Sequence, residues 1–283
     1  PVMAIKLTLL GLGIMGRPMT RTLIKGGVNV HGWNRSILPD KLTTGIPLCR
    51  NLKEAARADV CLLMLQDSFA VDAVLERMVP YLSKGQIVLD MGSSDPTHSR
   101  NHAEKMGRKN IGWVDAPVSG GPEGAALGTL SIMAGGKRIH VDRVRPLLEV
   151  LGTNIVHVGG SGMGHMVKII NQMIVGLTIE AVAEGLTLAE KSGVDPALIQ
   201  RALKGGFADS KILQLHGTRM AKREYAPGGK IISQLKDLKL ARRMADEAGV
   251  NLPHLESTIQ FYEKLVEQGH ANMDHSALHK LLW

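Results

Sequence analysis

The 283-residue sequence contains few cysteines, few aromatic residues and no long hydrophobic run. Cys49 and Cys61 are its two cysteines, and neither belongs to a C-x-x-C pair. This usage predicts two reduced thiols rather than a disulfide framework or a zinc site. No segment approaches the roughly 18 uninterrupted apolar residues of a membrane span, and the first residues lack the basic start of a signal peptide. These absences predict a soluble, cytoplasmic protein with no membrane partner.

Aromatic residues make up only 3% of the chain, so its core must consist mainly of Leu, Ile, Val, Ala and the 14 Met. The formal net charge is +8, which favours acidic partners without identifying them. Basic clusters occur at 222–225 and 241–243. Because no recognition motif, aromatic stacking platform or basic tail accompanies them, the sequence predicts no nucleic-acid partner.

Two halves of the chain differ in pattern near residue 160. The first half alternates strand-length apolar runs with helical patterns, which predicts βαβ units in a doubly wound, mostly parallel sheet. The predicted strands are 5–13, 28–34, 59–65, 86–92, 112–118, 129–136 and 154–160. From 161 to 192 no proline occurs and apolar residues recur at helical spacing, which predicts one long helix followed by shorter ones. The predicted domains are therefore an α/β domain over 1–160 and an all-helical domain over 161–283.

The motif GLGIMG follows the first predicted strand and opens a helix. Gly11 permits a tight turn, Gly13 lets the backbone approach a pyrophosphate, and Gly16 lets the helix pack against the strand. A helix N-terminus at this point favours an anion. The motif thus predicts a dinucleotide site that also includes Leu12, Ile14 and Met15.

The end of the second predicted strand indicates which dinucleotide is bound. NAD sites usually carry Asp or Glu about 20 residues after the glycines, but this position reads Asn34, Arg35 and Ser36. The two neutral hydrogen-bonding groups and one guanidinium suit a 2′-phosphate. The sequence therefore predicts NADP(H) as the preferred cofactor, with NAD(H) possible.

The sequence Ser119-Gly120-Gly121 follows the predicted strand 112–118. A hydroxyl and consecutive backbone N–H groups there would suit a carboxylate. Composition alone leaves an ordinary glycine-rich loop equally open.

Lys168 falls in the opening turns of the long helix, and Asn171 and Gln172 share its face at i+3 and i+4. A lysine held in a partly apolar cleft can act as a general acid toward a carbonyl oxygen. Lys236 could reach the cofactor or the substrate. For both lysines, a solvated position on a helix surface is the alternative.

The C-terminal segment contains a second group of potential ligands. His275 and His279 stand at i and i+4, and Asp274 is adjacent, a spacing that can hold a metal on a helix. The prediction is instead a helix capped by Asp274 or Ser276 with exposed histidines and no metal.

Taken in order, five motifs are similar to those of the β-hydroxyacid dehydrogenases, the 3-hydroxyisobutyrate dehydrogenase-like family. The matching stretches are 11–19, 90–96, 115–136, 162–172 and 236–241. The resemblance implies a Rossmann domain followed by a helical domain joined through a long helix, with dimers or tetramers formed through the helical part. It also implies an oxidoreductase that acts on the CH–OH group of a small hydroxy acid.

The resemblance assigns roles to individual residues. Lys168 matches the catalytic lysine, and residues 119–121 match the loop that binds the substrate carboxylate. Asn171 and Gln172 match substrate-binding positions on the long helix. The remaining matches are Leu65 with a cofactor-contacting position, Ser93 with a Ser/Thr beside cofactor and substrate, and Lys236 with a lysine that lines the same cleft.

Details within the motifs point to one branch of the family. Gln172 after Asn171, the stretch 203–213 and the stretch 270–278 are most similar to the tartronate semialdehyde (2-hydroxy-3-oxopropionate) reductases. Asn34-Arg35 is more similar to the NADPH-using glyoxylate/succinic semialdehyde reductases. These reductases and 3-hydroxyisobutyrate dehydrogenase are the alternatives, and a non-catalytic dehydrogenase-like binding module is the alternative of a different class.

Overall fold

The structure is a computed structural model that describes residues 5–283; the first four residues of the predicted N-terminal domain lie outside this range. The described chain divides into two compact units, one ending at Lys168 and the other beginning at Ile169. This division lies inside a helix, whereas the sequence places a domain boundary near residue 160.

The first unit alternates strands and helices in the order that the apolar runs predict. Its strands are β1 (Lys6–Leu10), β2 (Asn29–Trp33), β3 (Val60–Leu63), β4 (Ile87–Asp90), β5 (Gly112–Asp115), β6 (Val118–Ser119), β7 (Leu130–Gly136) and β8 (Gly152–Gly159). Its helices are α1 (Gly16–Lys25), α2 (Asp40–Thr43), α3 (Leu52–Ala55), α4 (Ser68–Met78), α5 (Pro96–Arg108), α6 (Gly121–Leu127) and α7 (Arg138–Leu151), with a 3₁₀ turn at Val79–Tyr81. Every residue of β3, β4 and β5 is buried, which is the pattern of a parallel sheet covered on both faces.

These strands form one sheet in the order β2-β1-β3-β4-β5-β7-β6, and β8 pairs with β7. Strands β1 to β5 are parallel, whereas β7 is antiparallel to both β5 and β6. The arrangement confirms the predicted doubly wound α/β sheet of the Rossmann type. Because the strand order reverses between β1 and β3, a ligand crevice is expected beyond the ends of these two strands, after Leu10 and Leu63.

Side chains of the central strands alternate between two cores, one on each face of the sheet. Leu62 belongs to one cluster, and its neighbours Cys61 and Leu63 belong to the other. Burial raises the pKa of the Cys61 thiol to about 12, which favours the protonated form of this free cysteine. Cys49 is also a free thiol.

The second unit is helical, as predicted. It begins at Ile169, inside the long helix α8 (Met163–Lys191). The helices that follow are α9 (Pro196–Leu203), α10 (Lys211–Lys222), α11 (Ile231–Ala248), α12 (Pro253–Glu267) and a C-terminal 3₁₀ helix, His275–Leu282. At 1.5 Å per residue α8 is about 43 Å long. Its buried face packs with α11 and α12 in one cluster that includes Ile179, Leu238 and the fully buried Tyr262.

Two segments differ from the sequence-based expectation. The glycine-rich stretch predicted as strand and loop contains the helix α6, since Pro122 fits its first turn and Gly128 ends it in the left-handed conformation. The C-terminal segment is a 3₁₀ helix rather than an α-helix. Its histidines are buried, contrary to prediction, because the 3₁₀ turn directs His275 and His279 to separate partners inside the second unit.

Helix α8 is long and apolar enough to span a membrane by length and composition, with a mean hydropathy of 1.5. Core helices of water-soluble proteins meet the same criterion. Its exposed face carries the apolar side chains of Ile170, Ile174 and Leu188, which follow helical spacing.

Candidate active site

The loop between β1 and α1 meets the geometric requirements of a dinucleotide site. Gly11 has φ +106°, and a Cβ there would overlap the Met64 carbonyl oxygen. A Cβ on Gly16 would overlap the Gly11 carbonyl oxygen, so this glycine lets α1 pack directly on the turn. At Gly13, in contrast, no described atom lies within 4 Å of an added Cβ. The loop is therefore closed toward the protein and open where a ligand would approach.

The N-terminus of α1 adds an electrostatic preference for an anion. Within residues 5–283 no side chain caps this helix, and its first turn carries no acidic residue. The first N–H groups of a helix lack intrahelical acceptors and lie at the positive end of its dipole. The pyrophosphate of a dinucleotide can satisfy these groups, so the residues present fit such a cofactor.

Asn34 connects the glycine loop to the end of β2. The Leu12 N–H donates to Asn34 Oδ1 at 3.0 Å, and Asn34 Nδ2 donates to the Ser36 carbonyl oxygen at 2.8 Å. Arg35 and Ser36 are exposed beside it. Asn34 therefore organises the loop through its amide without adding a negative charge.

Leu65 and Ser93 lie on the loops that follow β3 and β4. A Cβ on Gly92 would overlap the Leu65 carbonyl oxygen, so the glycine at this position lets the two loops approach closely. The side chains of Leu65 and Ser93 are half-buried. The structure thus brings these two predicted positions to neighbouring loops at the same edge of the parallel strands.

A buried group that sequence reasoning missed lies beside Ser93. His165 is fully buried; its Nε2 lies 3.0 Å from the Gly92 carbonyl oxygen and 3.6 Å from an Asp90 carboxylate oxygen. Asp90 accepts hydrogen bonds from the Gly92 N–H at 3.1 Å and the Ser94 hydroxyl at 3.1 Å. The signals that could have indicated this group are Asp90 at the end of an apolar run and His165 in the first turn of the long helix.

Asp115, at the end of β5, caps the helix that carries Lys168. Its carboxylate accepts from the Gly162 N–H at 2.8 Å and the His165 N–H at 3.1 Å. Burial raises the pKa of Asp115, and His165 and these two backbone N–H groups oppose the rise. A Cβ on Gly164 would overlap the carbonyl oxygens of Asp115 and Met133, so the start of α8 lies directly on the backbone of β5 and β7. The position of half-buried Lys168, one turn later, follows from this docking.

The predicted carboxylate loop has an unusual backbone. Gly120 has φ +136° and Gly121 has φ +69°, conformations that disfavour side chains. Ser119 pairs with Ser131 in the antiparallel β6–β7 ladder, Gly120 is the N-cap of α6, and Gly121 is its first residue. These positions therefore form a strand-to-helix turn rather than an extended loop.

Asn171 and Gln172 lie in the second unit, where their amides bond to each other. Asn171 Nδ2 donates to Gln172 Oε1 at 3.0 Å, and Gln172 Nε2 donates to Gln234 Oε1 at 3.4 Å. Lys236, two residues after Gln234 on α11, lies 3.5 Å from the buried carboxylate of Asp237. The two amides are thus part of a hydrogen-bonded set, and Lys236 is close to a carboxylate.

A cavity of about 730 Å³ lies between α4 and α5, away from every predicted site residue. Asp72 on its wall contacts His98 Nδ1 at 3.1 Å and His102 Nε2 at 2.9 Å. This trio and the trio His216–Asp274–His275 each bring potential metal-ligating atoms within 4.8 Å. His275 and His279, the i,i+4 pair considered from the sequence, do not belong to the same trio. His279 Nδ1 instead lies 2.9 Å from the Tyr225 hydroxyl.

The doubly wound sheet, the glycine loop open at Gly13 and the uncapped α1 define a dinucleotide-binding protein. Residues 6–159 match the family model for the NAD-binding domain of 6-phosphogluconate dehydrogenase. Residues 162–282 match the model for the NAD-binding domain of NADP-dependent 3-hydroxyisobutyrate dehydrogenase. The chain belongs to the β-hydroxyacid dehydrogenase family, as the sequence motifs predicted, and is an NAD(P)-dependent enzyme that acts on CH–OH groups.

Individual relatives cover nearly the whole chain. The 2-hydroxy-3-oxopropionate reductase of Escherichia coli K12 is 41% identical over 96% of this chain and 95% of its own length. The 2-(hydroxymethyl)glutarate dehydrogenase of Eubacterium barkeri is 33% identical over 98% of this chain and 95% of its own. The structure of Mycobacterium tuberculosis 3-hydroxyisobutyrate dehydrogenase with L-serine aligns with a TM-score of 0.87 at 28% identity, over 98% of this chain and 99% of that one.

Proposed function

We propose that this enzyme interconverts a short 3-oxo acid and its hydroxy acid, with tartronate semialdehyde (2-hydroxy-3-oxopropionate) as the preferred substrate. The observation that carries the proposal is the 41% identity to the E. coli 2-hydroxy-3-oxopropionate reductase over nearly the full length of both chains. The branch-specific stretches 203–213 and 270–278 support the same substrate. Glyoxylate, succinic semialdehyde and 3-hydroxyisobutyrate are the alternative substrates.

Lys168 is the proposed general acid. Its ammonium would donate a proton to the substrate oxygen in reduction, and the neutral amine would take one back in oxidation. A bound nicotinamide would supply or accept the hydride. The capping of α8 by Asp115 supports this role, since it gives the helix turn that bears Lys168 a defined position on β5.

The substrate carboxylate is assigned to residues 119–121, and Asn171 and Gln172 are assigned to the substrate as well. The left-handed backbone at Gly120 and Gly121 supports this assignment, because successive N–H groups in such a turn can converge on an anion. Ser93 lies at the edge of the parallel strands, next to the loop of Leu65, and is assigned to both cofactor and substrate. Lys236 is assigned to the cofactor.

NADP(H) is the proposed cofactor, with Arg35 as the ligand of its 2′-phosphate. The exposed guanidinium and the neutral Asn34 and Ser36 beside it support this preference. The description of the family matched by residues 162–282, which names an NADP-dependent enzyme, agrees with it.

Replacing Arg35 with Ala is expected to raise the KM for NADPH about tenfold, the effect of losing one charge-assisted hydrogen bond. The KM for NADH should change less than twofold, because NADH has no 2′-phosphate. Initial rates at fixed semialdehyde concentration give both values. Arg57→Ala is the matched control, since it removes one exposed positive charge elsewhere in the same unit. An unchanged preference in the Arg35 variant would contradict the assignment.

A substrate panel tests the proposed function itself. Reduction of tartronate semialdehyde, glyoxylate, succinic semialdehyde and methylmalonate semialdehyde is measured with NADPH and with NADH. We expect the highest kcat/KM for tartronate semialdehyde with NADPH. A higher value for another member of the panel would transfer the assignment to that substrate.

The division of roles between the two parts of the chain is also a proposal. Residues 1–160 are the proposed cofactor-binding domain, which also carries the carboxylate turn at 119–121. Residues 161–283 are the proposed domain for the substrate and for self-association as a homodimer or homotetramer, and they also carry Lys236. The exposed apolar side chains of Ile170, Ile174 and Leu188 along α8 support self-association. A particle mass of 30.5 kDa in solution would exclude it. The cytoplasmic location stays a prediction.

A further inference from the structure

A chain of buried polar side chains runs through the second unit and ends at Gln172. His216 Nδ1 lies 3.5 Å from Asp274 Oδ1, and His216 Nε2 lies 3.2 Å from His275 Nε2. His275 Nδ1 lies 3.1 Å from Gln234 Oε1. Asp274, His216, His275 and Gln234 are all buried. As site residues, Asp274 and His275 were considered from the sequence only as metal ligands, and His216 and Gln234 were not considered.

The orientation of the Gln234 amide follows from its backbone partner. Its Nε2 lies 2.8 Å from the Gln172 carbonyl oxygen, which can only accept, so Nε2 is the donor. Its Oε1 therefore faces His275 Nδ1, which must carry a hydrogen to donate to it. Gly176 makes this contact possible, because a Cβ there would come within 2.9 Å of Gln234 Nε2.

The same reasoning links the two imidazoles. His216 Nε2 and His275 Nε2 lie 3.2 Å apart, and one of the two nitrogens must donate its hydrogen to the other. His216 therefore holds His275, which in turn holds Gln234.

The carboxylate of Asp274 is held by several donors at one end of this chain. The N–H groups of Gly228 and Gly229 donate to Oδ2 at 3.2 and 3.1 Å, and Arg219 lies 3.3 Å from it. Burial raises the pKa of Asp274, but hydrogen bonds with the His216 and Ser276 side chains help to lower it below its ordinary value. The carboxylate therefore has a fixed position, and His216 lies against it.

The chain fixes the amides assigned to the substrate. Gln234 binds Gln172 at two points, the carbonyl oxygen and Nε2, and thereby directs Gln172 Oε1 to Asn171 Nδ2. We propose that Gln234 is a positioning residue, held by His275, His216 and Asp274, that sets the orientation of the Gln172 and Asn171 amides for the substrate. The proposal rests on the proposed function, since the roles of Asn171 and Gln172 belong to it.

Two substitutions at His275 test the proposal. His275→Leu removes the donor to Gln234, and the KM for the preferred semialdehyde is expected to rise about 5- to 10-fold. The dissociation constant for NADPH and kcat should change less than twofold, because the amides act on substrate binding. His275→Asn offers an amide N–H near the position of Nδ1 and should restore most of the wild-type KM.

Two further variants separate positioning from stability. Gln234→Met keeps the volume of the side chain but removes its hydrogen bonds, and should raise KM as His275→Leu does. His279→Leu is the matched control: this histidine is buried in the same 3₁₀ helix but bonds to Tyr225, so its loss should lower Tm without raising KM. A wild-type KM in both His275→Leu and Gln234→Met would overturn the proposal, as would an equal rise in KM for His279→Leu.

A measurement without turnover distinguishes failure of the inference from failure of the proposed function. If the wild-type enzyme reduces no semialdehyde, the proposed function fails, and ¹H–¹⁵N NMR of the side-chain amides still tests the chain. The side-chain amide signals of Gln172 and Asn171 should shift in His275→Leu and Gln234→Met and keep their wild-type positions in His279→Leu. Unchanged amide signals in both His275→Leu and Gln234→Met would overturn the proposal.

Discussion

Replacing Lys168 with Ala is expected to lower kcat by about 10³-fold, within the range that loss of a general acid produces. The carbonyl oxygen of the substrate gains negative charge as its carbon is reduced, and the variant lacks the proposed proton donor to that oxygen. NADPH binding should be retained, since the glycine loop lies between β1 and α1 and Lys168 lies on α8. Steady-state rates and NADPH fluorescence titration check the two parts of this expectation.

Two further variants define the role of this lysine. Lys168→Arg keeps the positive charge but replaces the ammonium with a guanidinium that does not release its proton near neutral pH, so activity should remain low. Lys191→Ala removes an exposed lysine from the far end of the same helix and should be fully active. Activity above about a tenth of wild type in Lys168→Ala would remove this residue from the proton-transfer step.

Replacing Gly13 with Val is expected to raise the dissociation constant for NADPH on the order of 100-fold, the loss of two charge-assisted hydrogen bonds to a phosphate. Because no described atom lies within 4 Å of an added Cβ, the new side chain would occupy the space in front of the loop without disturbing the protein. The Tm of the cofactor-free enzyme should therefore stay within about 2 °C of wild type.

Gly16→Ala is the contrasting variant in the same loop. Its methyl group would overlap the Gly11 carbonyl oxygen, so the free energy of unfolding should fall by about 1–3 kcal/mol. Urea unfolding of the cofactor-free proteins measures the difference. Equal destabilisation by both substitutions would contradict the separate roles given to the two glycines.

Much of the first unit could be predicted because its signals are local. Strand-length runs of Val, Ile and Leu, separated by helical patterns, predict a covered parallel sheet whatever the details of packing. The spacing of Gly11, Gly13 and Gly16 requires a specific turn, and a turn depends on neighbouring residues only. The pairing of strands was harder to predict from the sequence. The antiparallel pairing of β7 with β5, for example, depends on both segments together and cannot be inferred from either one alone.

The buried polar groups of the candidate site were not predictable in the same way. Asp90, Asp115 and His165 are far apart in sequence, and each resembles an ordinary strand end or helix start. The histidines of the C-terminal segment were expected to be exposed on a helix capped by Asp274 or Ser276. Their burial depends on Gln234 and His216, which belong to other helices.

The scarcity of cysteines, aromatic residues and long apolar runs, together with five short motifs in order, was enough to establish the family, the fold and a dinucleotide-dependent reaction. These properties depend on composition and on residues close together in the chain. The tertiary structure decided which polar groups meet: Asp115 with the start of α8, and Asp274 with two imidazoles and the Gln234 amide. Such contacts join residues from separate elements, and a buried polar group is stable only where the fold supplies its partner.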